Sequence, residues 1–242
     1  MAKNHANNDK KKQSVLSEPT AEELSEFAYL PTKITGLNEK KPFGSTSYKY
    51  MKGLLMQRVS PARYVHSLSV AKTARKIARA YGYDPHVARM AGLLHDWDKA
   101  LSHTRLMDRV KHYQIEVDEE IVTSMPWVLH GMTAAAVLAE EAPQFGDELY
   151  SAIARHTVGA VNMSPMDMII FVADKIEPTH EISVYKHLYK QIGDITLDEL
   201  FFGVLKESMA YLVRSEKPIT KESVQVWNWY CQARKSKEKN SE

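Results

Sequence analysis

The chain has 242 residues, of which 26% are charged and 44% hydrophobic, and carries a formal net charge of +2. These values allow one large or two small globular domains with a sizeable core, and they give no electrostatic case for a nucleic-acid partner. The longest purely apolar run, Met168–Ala173, excludes a helical membrane span, and the single Cys231 excludes an internal disulfide. Cysteine usage fits a reducing compartment and the polar opening carries no apolar signal region, so the expected location is cytoplasmic.

Residues 1–47 are expected to be loosely ordered. The opening sets Lys3, Lys10, Lys11 and Lys12 against Asp9 and holds little apolar surface to offset the entropy of ordering. Thr20 and Glu23 form a capping-box pattern for a short helix within residues 17–30, after which Pro31, Gly36, Pro42 and Gly44 interrupt. A solvated extension is a simpler expectation for this lead than a basic arm on RNA or on an acidic partner.

The domain proper is expected over residues 48–234. Ser60 as N-cap, Pro61 at the first helical position and Gly82 at the exit predict a helix over 60–81. His66, Val70, Thr73 and Ile77 share one inward stripe of it. Taken alone, an inward histidine is more often a satisfied core residue than a ligand. Asp84-Pro85 opens a second helix whose apolar face, Val87, Met90, Ala91 and Leu94, runs out at His95-Asp96. An imidazole buried beside a carboxylate is costly unless both are satisfied, and a metal ion satisfies both.

Residues 101–121 read as helical in pieces, with Asp118, Glu119 and Glu120 as a solvated helix start. Beyond Pro126, the alanine-rich run to Glu141 predicts a helix with His130 at or near its start, a place that also suits phosphate. A helix over 147–157 sets Leu149, Ile153 and His156 on one inward face. Ser164-Pro165 opens another that ends at Pro178, with Ile169, Ile170 and Ala173 as its core stripe and Asp174 at the edge. Lys175 points about 100° away from Asp174, so a metal is the expected partner of that carboxylate. An amphipathic helix follows over 197–214, with Leu200, Phe201, Leu205, Met209, Leu212 and Val213 inward. A last helix over 221–234 packs through Val226, Trp227 and Tyr230, and the polar tail 235–242 is expected to fray. With no sustained strand alternation, the fold class is all-α: a helical bundle with a metal site between helices. Imidazole and carboxylate ligands without thiolate suit iron, manganese or zinc and argue against a structural zinc.

The order His66, His95-Asp96, Asp174 resembles the HD-domain phosphohydrolase superfamily. Within it, the chain is similar to the YqeK family at Arg63-Tyr64-Val65-His66, at Gly92 to Lys99, at Leu129-His130-Gly131, at Arg155-His156-Thr157 and at Asp174 to Pro178, over residues 50–232. The resemblance implies a cytoplasmic enzyme that cuts diadenosine tetraphosphate symmetrically into two ADP, with iron as the expected metal and manganese next. It implies that His66, His95, Asp96 and Asp174 hold that metal, and that His130 and His156 hold a second metal or the phosphates. Asp96 and Lys99 would be catalytic, and Arg63, Lys99, Arg155, Thr157 and His180 would bind substrate. The chain departs from the family pattern at His180, where the family has arginine, and at Asp98, where it has a small residue. Asp98 is expected to pair with Lys99. Two other classes stay open: an HD phosphohydrolase for a nucleotide monophosphate, deoxynucleotide or guanosine alarmone, and a non-catalytic HD binding module. A homodimer through the C-terminal helices is also left open.

Overall fold

The computed structural model describes residues 20–29, 34–179 and 183–239. The basic opening and His180 lie outside the described residues. In chain order the helices are α1 (Ala21–Tyr29), α2 (Ser45–Arg58), α3 (Pro61–Tyr81), α4 (Pro85–Leu94), α5 (His103–His112) and α6 (Glu119–Ser124). They continue with α7 (His130–Glu141), α8 (Asp147–Arg155), α9 (Pro165–Ile176), α10 (Ser183–Lys190), α11 (Leu197–Arg214) and α12 (Lys221–Lys239). Among the described residues there is no β-strand, and the all-α expectation holds.

The helix boundaries follow from local chemistry. The Ser60 side chain accepts from the Arg63 N–H, Pro61 occupies the first turn of α3, and Gly82 leaves it at φ 78°, a left-handed conformation that suits glycine. Asp84 caps α4 by accepting from the His86 and Val87 N–H groups. Reciprocal capping boxes, Ser164 with Asp167 and Thr196 with Glu199, open α9 and α11.

Helix α3 lies against α4 and α9, and α8 lies against α7 and α9. Their inward stripes form one continuous core that includes Val70, Ile77, Leu93, Ile153, Ile170 and Phe201, all 0% exposed. Each such side chain contributes about 1.5–3 kcal/mol by leaving water. Close helix contact depends on small residues. A Cβ on Gly92 would sit 3.0 Å from the Ala71 Cα, and one on Gly131 would sit 2.8 Å from the Ile153 carbonyl oxygen. Both glycines neighbour histidines of the site, so the approach of α4 to α3 and of α7 to α8 sets where those rings stand.

Four expectations change. Part of the expected loose lead is built into the body: Thr20 and Glu23 form their capping box, and Ala28 of α1 is fully buried against Leu101 and Leu106. The core reaches ahead of Tyr48, because Ile34 and Leu37 are buried in it together with Tyr48 and Met51 of α2. The last helix runs on to Lys239. Val213 is 65% exposed, and Met209 and Leu212 are half-buried, so the inward stripe of α11 fades in its final turns. No helix among the described residues is long and apolar enough to cross a membrane.

Because its neighbours at Gly92 are backbone atoms that cannot move aside, Gly92→Val should destabilise the fold by about 1–3 kcal/mol. A urea unfolding midpoint unchanged from wild type would contradict the close α3–α4 approach.

Candidate metal centre

The centre is assembled from helix ends. His66 stands in the second turn of α3, His95 and Asp96 directly follow α4, His130 begins α7, His156 follows α8, and Asp174 lies in the last turn of α9. All these side chains converge, as their separate inward positions predict. His95 Nε2 is 3.4 Å from Asp96 Oδ2 and 3.4 Å from Asp174 Oδ1. His66 Nε2 is 3.0 Å from Asp174 Oδ1 and 3.9 Å from Asp96 Oδ2. The other oxygen of Asp96, Oδ1, is 3.0 Å from His130 Nε2 and 3.9 Å from His156 Nε2. Asp96 therefore faces two groups of ligand atoms, one with each carboxylate oxygen.

Three tautomers follow from the backbone. His95 Nδ1 is 2.9 Å from the Gly92 carbonyl, His130 Nδ1 is 2.7 Å from that of Trp127, and His156 Nδ1 is 2.7 Å from that of Ile153. A carbonyl oxygen only accepts, so each Nδ1 carries the hydrogen and each neutral ring turns its Nε2 lone pair inward. His130 Nε2 and His156 Nε2 are then two acceptors 3.1 Å apart, with a carboxylate oxygen beside them. His95 Nε2 is buried without a hydrogen-bond partner. Such an array of lone pairs is repulsive unless a cation lies among them, and the donor set suits a divalent metal with nitrogen and oxygen ligands. Ligand atoms in the groups His66–His95–Asp96, His95–His156–Asp174 and Asp96–His130–His156 each lie within 4.8 Å of one another.

The electrostatics agree. Burial alone would raise the pKa of Asp96, but the charge of His95 holds it well below the usual carboxylate range. Asp174 is likewise held low against burial, by the charge of Lys175 and the hydrogen bond from His66. Burial, with the charge of Lys99, lowers the pKa of His130, and burial with the charge of His95 lowers that of His156 further. Burial also acts to lower that of His95, but the charges of Asp96 and Asp174 outweigh it and raise it to about 10. In the metal-free chain at neutral pH, the two carboxylates are ionised, His130 and His156 are neutral, and His95 holds a proton.

The surrounding residues are not all where the sequence places them. Arg63 Nη1 is 3.2 Å from Asp96 Oδ2 with its side chain 47% exposed, and Lys99 Nζ is 3.5 Å from His130 Nε2. Both cations thus stand at the centre. Thr157 Oγ1 is 3.1 Å from His156 Nε2. The Arg155 guanidinium is instead engaged 2.7 Å from Asp167, a fully buried carboxylate that also accepts from Ser151. Lys175 does pair with Asp174, at 2.6 Å from Oδ2: its four-carbon stem swings back across the helix face, leaving Oδ1 for the histidines. Asp98 does not pair with Lys99. It is 0% exposed and grips Arg109 at 2.6 and 2.7 Å.

Glu177 has a place that the sequence gives no reason to assign. Its Oε1 is 3.1 Å from His66 Nδ1, so it orients the ring that offers Nε2 to the centre. Burial works against its ionisation, and hydrogen bonds from His66, Ser69 and Thr179 prevail, bringing its pKa to about 2. It is the residue that ends α9, three positions after Asp174.

Comparison with known proteins agrees with this geometry. The HD domain family matches residues 63–179, from Arg63 through the last carboxylate motif. A symmetrical bis(5'-nucleosyl)-tetraphosphatase of Staphylococcus aureus is 29% identical over 183 residues, 74% of this chain and 92% of that protein. Its Bacillus subtilis namesake is 24% identical over 173 residues, 72% of this chain and 91% of that one. A crystal structure from Clostridium acetobutylicum, of a predicted HD superfamily hydrolase involved in NAD metabolism, is 28% identical with a TM-score of 0.71. The match covers 78% of this chain and 100% of that one. Residues 63–179 thus carry an HD domain, and every histidine and aspartate of the centre lies within it.

Proposed function

We propose that this protein is a cytoplasmic, metal-dependent hydrolase that cleaves diadenosine tetraphosphate symmetrically into two ADP. The observation that carries the metal-dependent part is the convergence of buried histidine Nε2 atoms on the two oxygens of Asp96. The substrate rests on the two relatives named for symmetrical tetraphosphatase activity, each spanned over more than nine-tenths of its length.

His66, His95, Asp96 and Asp174 would hold the first divalent metal, with iron as the proposed ion and manganese as the alternative. When bound, such a metal supplies Lewis acidity towards phosphoryl oxygens and brings the pKa of water towards neutrality. His130 and His156 offer lone pairs and are held neutral, so they cannot donate to a phosphate oxygen; this favours a second metal over direct phosphate contact. Asp96 is too weak a base to take up a proton at neutral pH. Its role is to accept a hydrogen bond and orient the attacking water. Lys99, drawn in beside His130, and Arg63, half-exposed at the rim, are the donors placed to bind and neutralise the polyphosphate. Symmetric cleavage requires the second phosphorus from either adenosine to be the one attacked, so that ADP is both leaving group and product. Thr157 lies within reach of the same phosphates, whereas Arg155 would have to leave Asp167 to reach them.

Chromatography of the products from diadenosine tetraphosphate with added iron or manganese should show ADP alone. AMP with ATP would refute the symmetric register, and no product would move the substrate to another nucleotide. Asp96→Ala removes a group that faces both ligand sets. It should lower turnover by more than about a hundredfold, beyond the loss usual for an outer partner of a metal ligand; near-wild-type turnover with bound metal retained would refute the ligand assignment.

The sign of the pH dependence follows from His95, whose pKa of about 10 in the metal-free chain lies above its ordinary value. At neutral pH the proton must leave before the ring can bind metal. Manganese affinity should therefore rise with pH between 6 and 8, by about tenfold per unit for one released proton. Calorimetric titration in buffers of different ionisation enthalpy would show that release, and affinity independent of pH would contradict it.

A further inference from the structure

Between the two catalytic side chains Asp96 and Lys99, the chain runs through a tight series of turns. The Trp97 N–H donates to the Leu94 carbonyl, that of Lys99 to Asp96, and that of Leu101 to Asp98, each at 3.0 Å. Asp96 and Lys99 face the histidines, while Trp97 and Asp98 point the other way into the body, both 0% exposed. The turn is thus fixed from behind. Asp98 accepts both of its hydrogen bonds from Arg109 Nη1, and Arg58 Nη2 lies 3.7 Å from Asp98 Oδ1 with its guanidinium 4.3 Å over the Trp97 ring.

This clamp holds two buried guanidinium groups around the Asp98 carboxylate, and Glu141 adds a second negative charge toward Arg58. Arg58 is 1% exposed and Arg109 is 6% exposed. Helix α1 adds the backbone acceptors. The Ala28 carbonyl accepts from Arg58 Nη2 and, at 3.2 Å, from Arg109 Nη2, which also lies 3.4 Å from the Tyr29 carbonyl. These oxygens belong to the negative, carbonyl end of a helix, where cations are stabilised. The rest of α1 is fastened to the segment just after the turn. The Ser25 hydroxyl accepts from the Ser102 N–H at 2.7 Å, Glu26 pairs with Arg105, and Ala28 is buried against Leu101 and Leu106. The N-terminal helix therefore touches no ligand atom, yet it closes the clamp behind the residues that do.

We propose that helix α1 is a latch for the metal centre: its carbonyl end completes the buried Asp98–Arg109–Arg58 clamp, making Arg109 and Ala28 positioning residues for Asp96 and Lys99. This rests on Asp96 being a metal ligand.

The probe is manganese alone, titrated into the full-length protein, so the result does not depend on which nucleotide is cleaved. Arg109→Met strips Asp98 of its bidentate partner, and Ala28→Trp wedges α1 away without touching the clamp's side chains. Each should weaken manganese binding about tenfold, as loss of an outer partner of a metal ligand does, with helix content retained. Arg109→Lys keeps a cation for Asp98 but cannot also reach the Ala28 and Tyr29 carbonyls, so it should fall between wild type and Arg109→Met. Should the wedge variant fail to fold, the paired changes Ser25→Ala and Glu26→Ala loosen the same helix and should shift affinity in the same direction. Affinity within twofold of wild type in the folded α1 variants would overturn the latch, whatever Arg109→Met does. Wild-type protein that binds no manganese or iron would instead overturn the metal centre itself.

Discussion

The structure depends on one electrostatic constraint: buried lone pairs aimed at one another. Three histidines spend their Nδ1 hydrogens on carbonyls three residues back, and so each turns its Nε2 towards Asp96 and its neighbours. In a low-dielectric interior such a cluster resists assembly without a cation, and it persists because the helices around it leave no alternative geometry. The local backbone sets the tautomer, the tautomer sets the direction of the lone pair, and helix packing sets where the pairs meet. Function in this protein begins with a hydrogen bond of ordinary strength within a helix turn.

The packing that enforces this is dense where the ligands are. Gly92 and Gly131 let α4 approach α3 and α7 approach α8 to the limit of backbone contact. Each stands next to, or one turn before, a histidine of the centre. Fully buried apolar residues on every participating helix supply the free energy that the polar cluster costs. The site is therefore held by the best-packed part of the molecule, consistent with a need to keep ligand atoms in place before a metal arrives.

The helices and the ligand set were legible because they rest on local rules. Periodicity put His66, His156 and Asp174 on inward faces, and Ser, Asp and Pro start signals fixed where α3, α4 and α9 begin. What sequence missed is pairing at long range. Asp98 was assigned to its chain neighbour Lys99, yet its partners are Arg109 and Arg58, side chains that come near only after α2 and α5 pack. Lys175 was set aside on helical angle alone, which fixes the Cβ direction but not where a long flexible side chain ends. Helix α1 showed its capping box in sequence but not its docking, since one buried alanine and two carbonyls leave no compositional trace.

The same contrast explains how the charges are arranged. On the metal side of the 96–99 turn, Asp96 faces the neutral rings of His130 and His156, an arrangement that suits an added cation. On the far side, two guanidinium groups face Asp98, the charge of Glu141 and a helix terminus, a balance already closed within the protein. Placing the unsatisfied half and the satisfied half on opposite faces of four consecutive residues lets the second hold the first in position. A turn with only its apolar Trp97 as anchor would hold distance but not orientation. Directional hydrogen bonds from a planar guanidinium fix both, which is what a carboxylate with a different task for each oxygen requires.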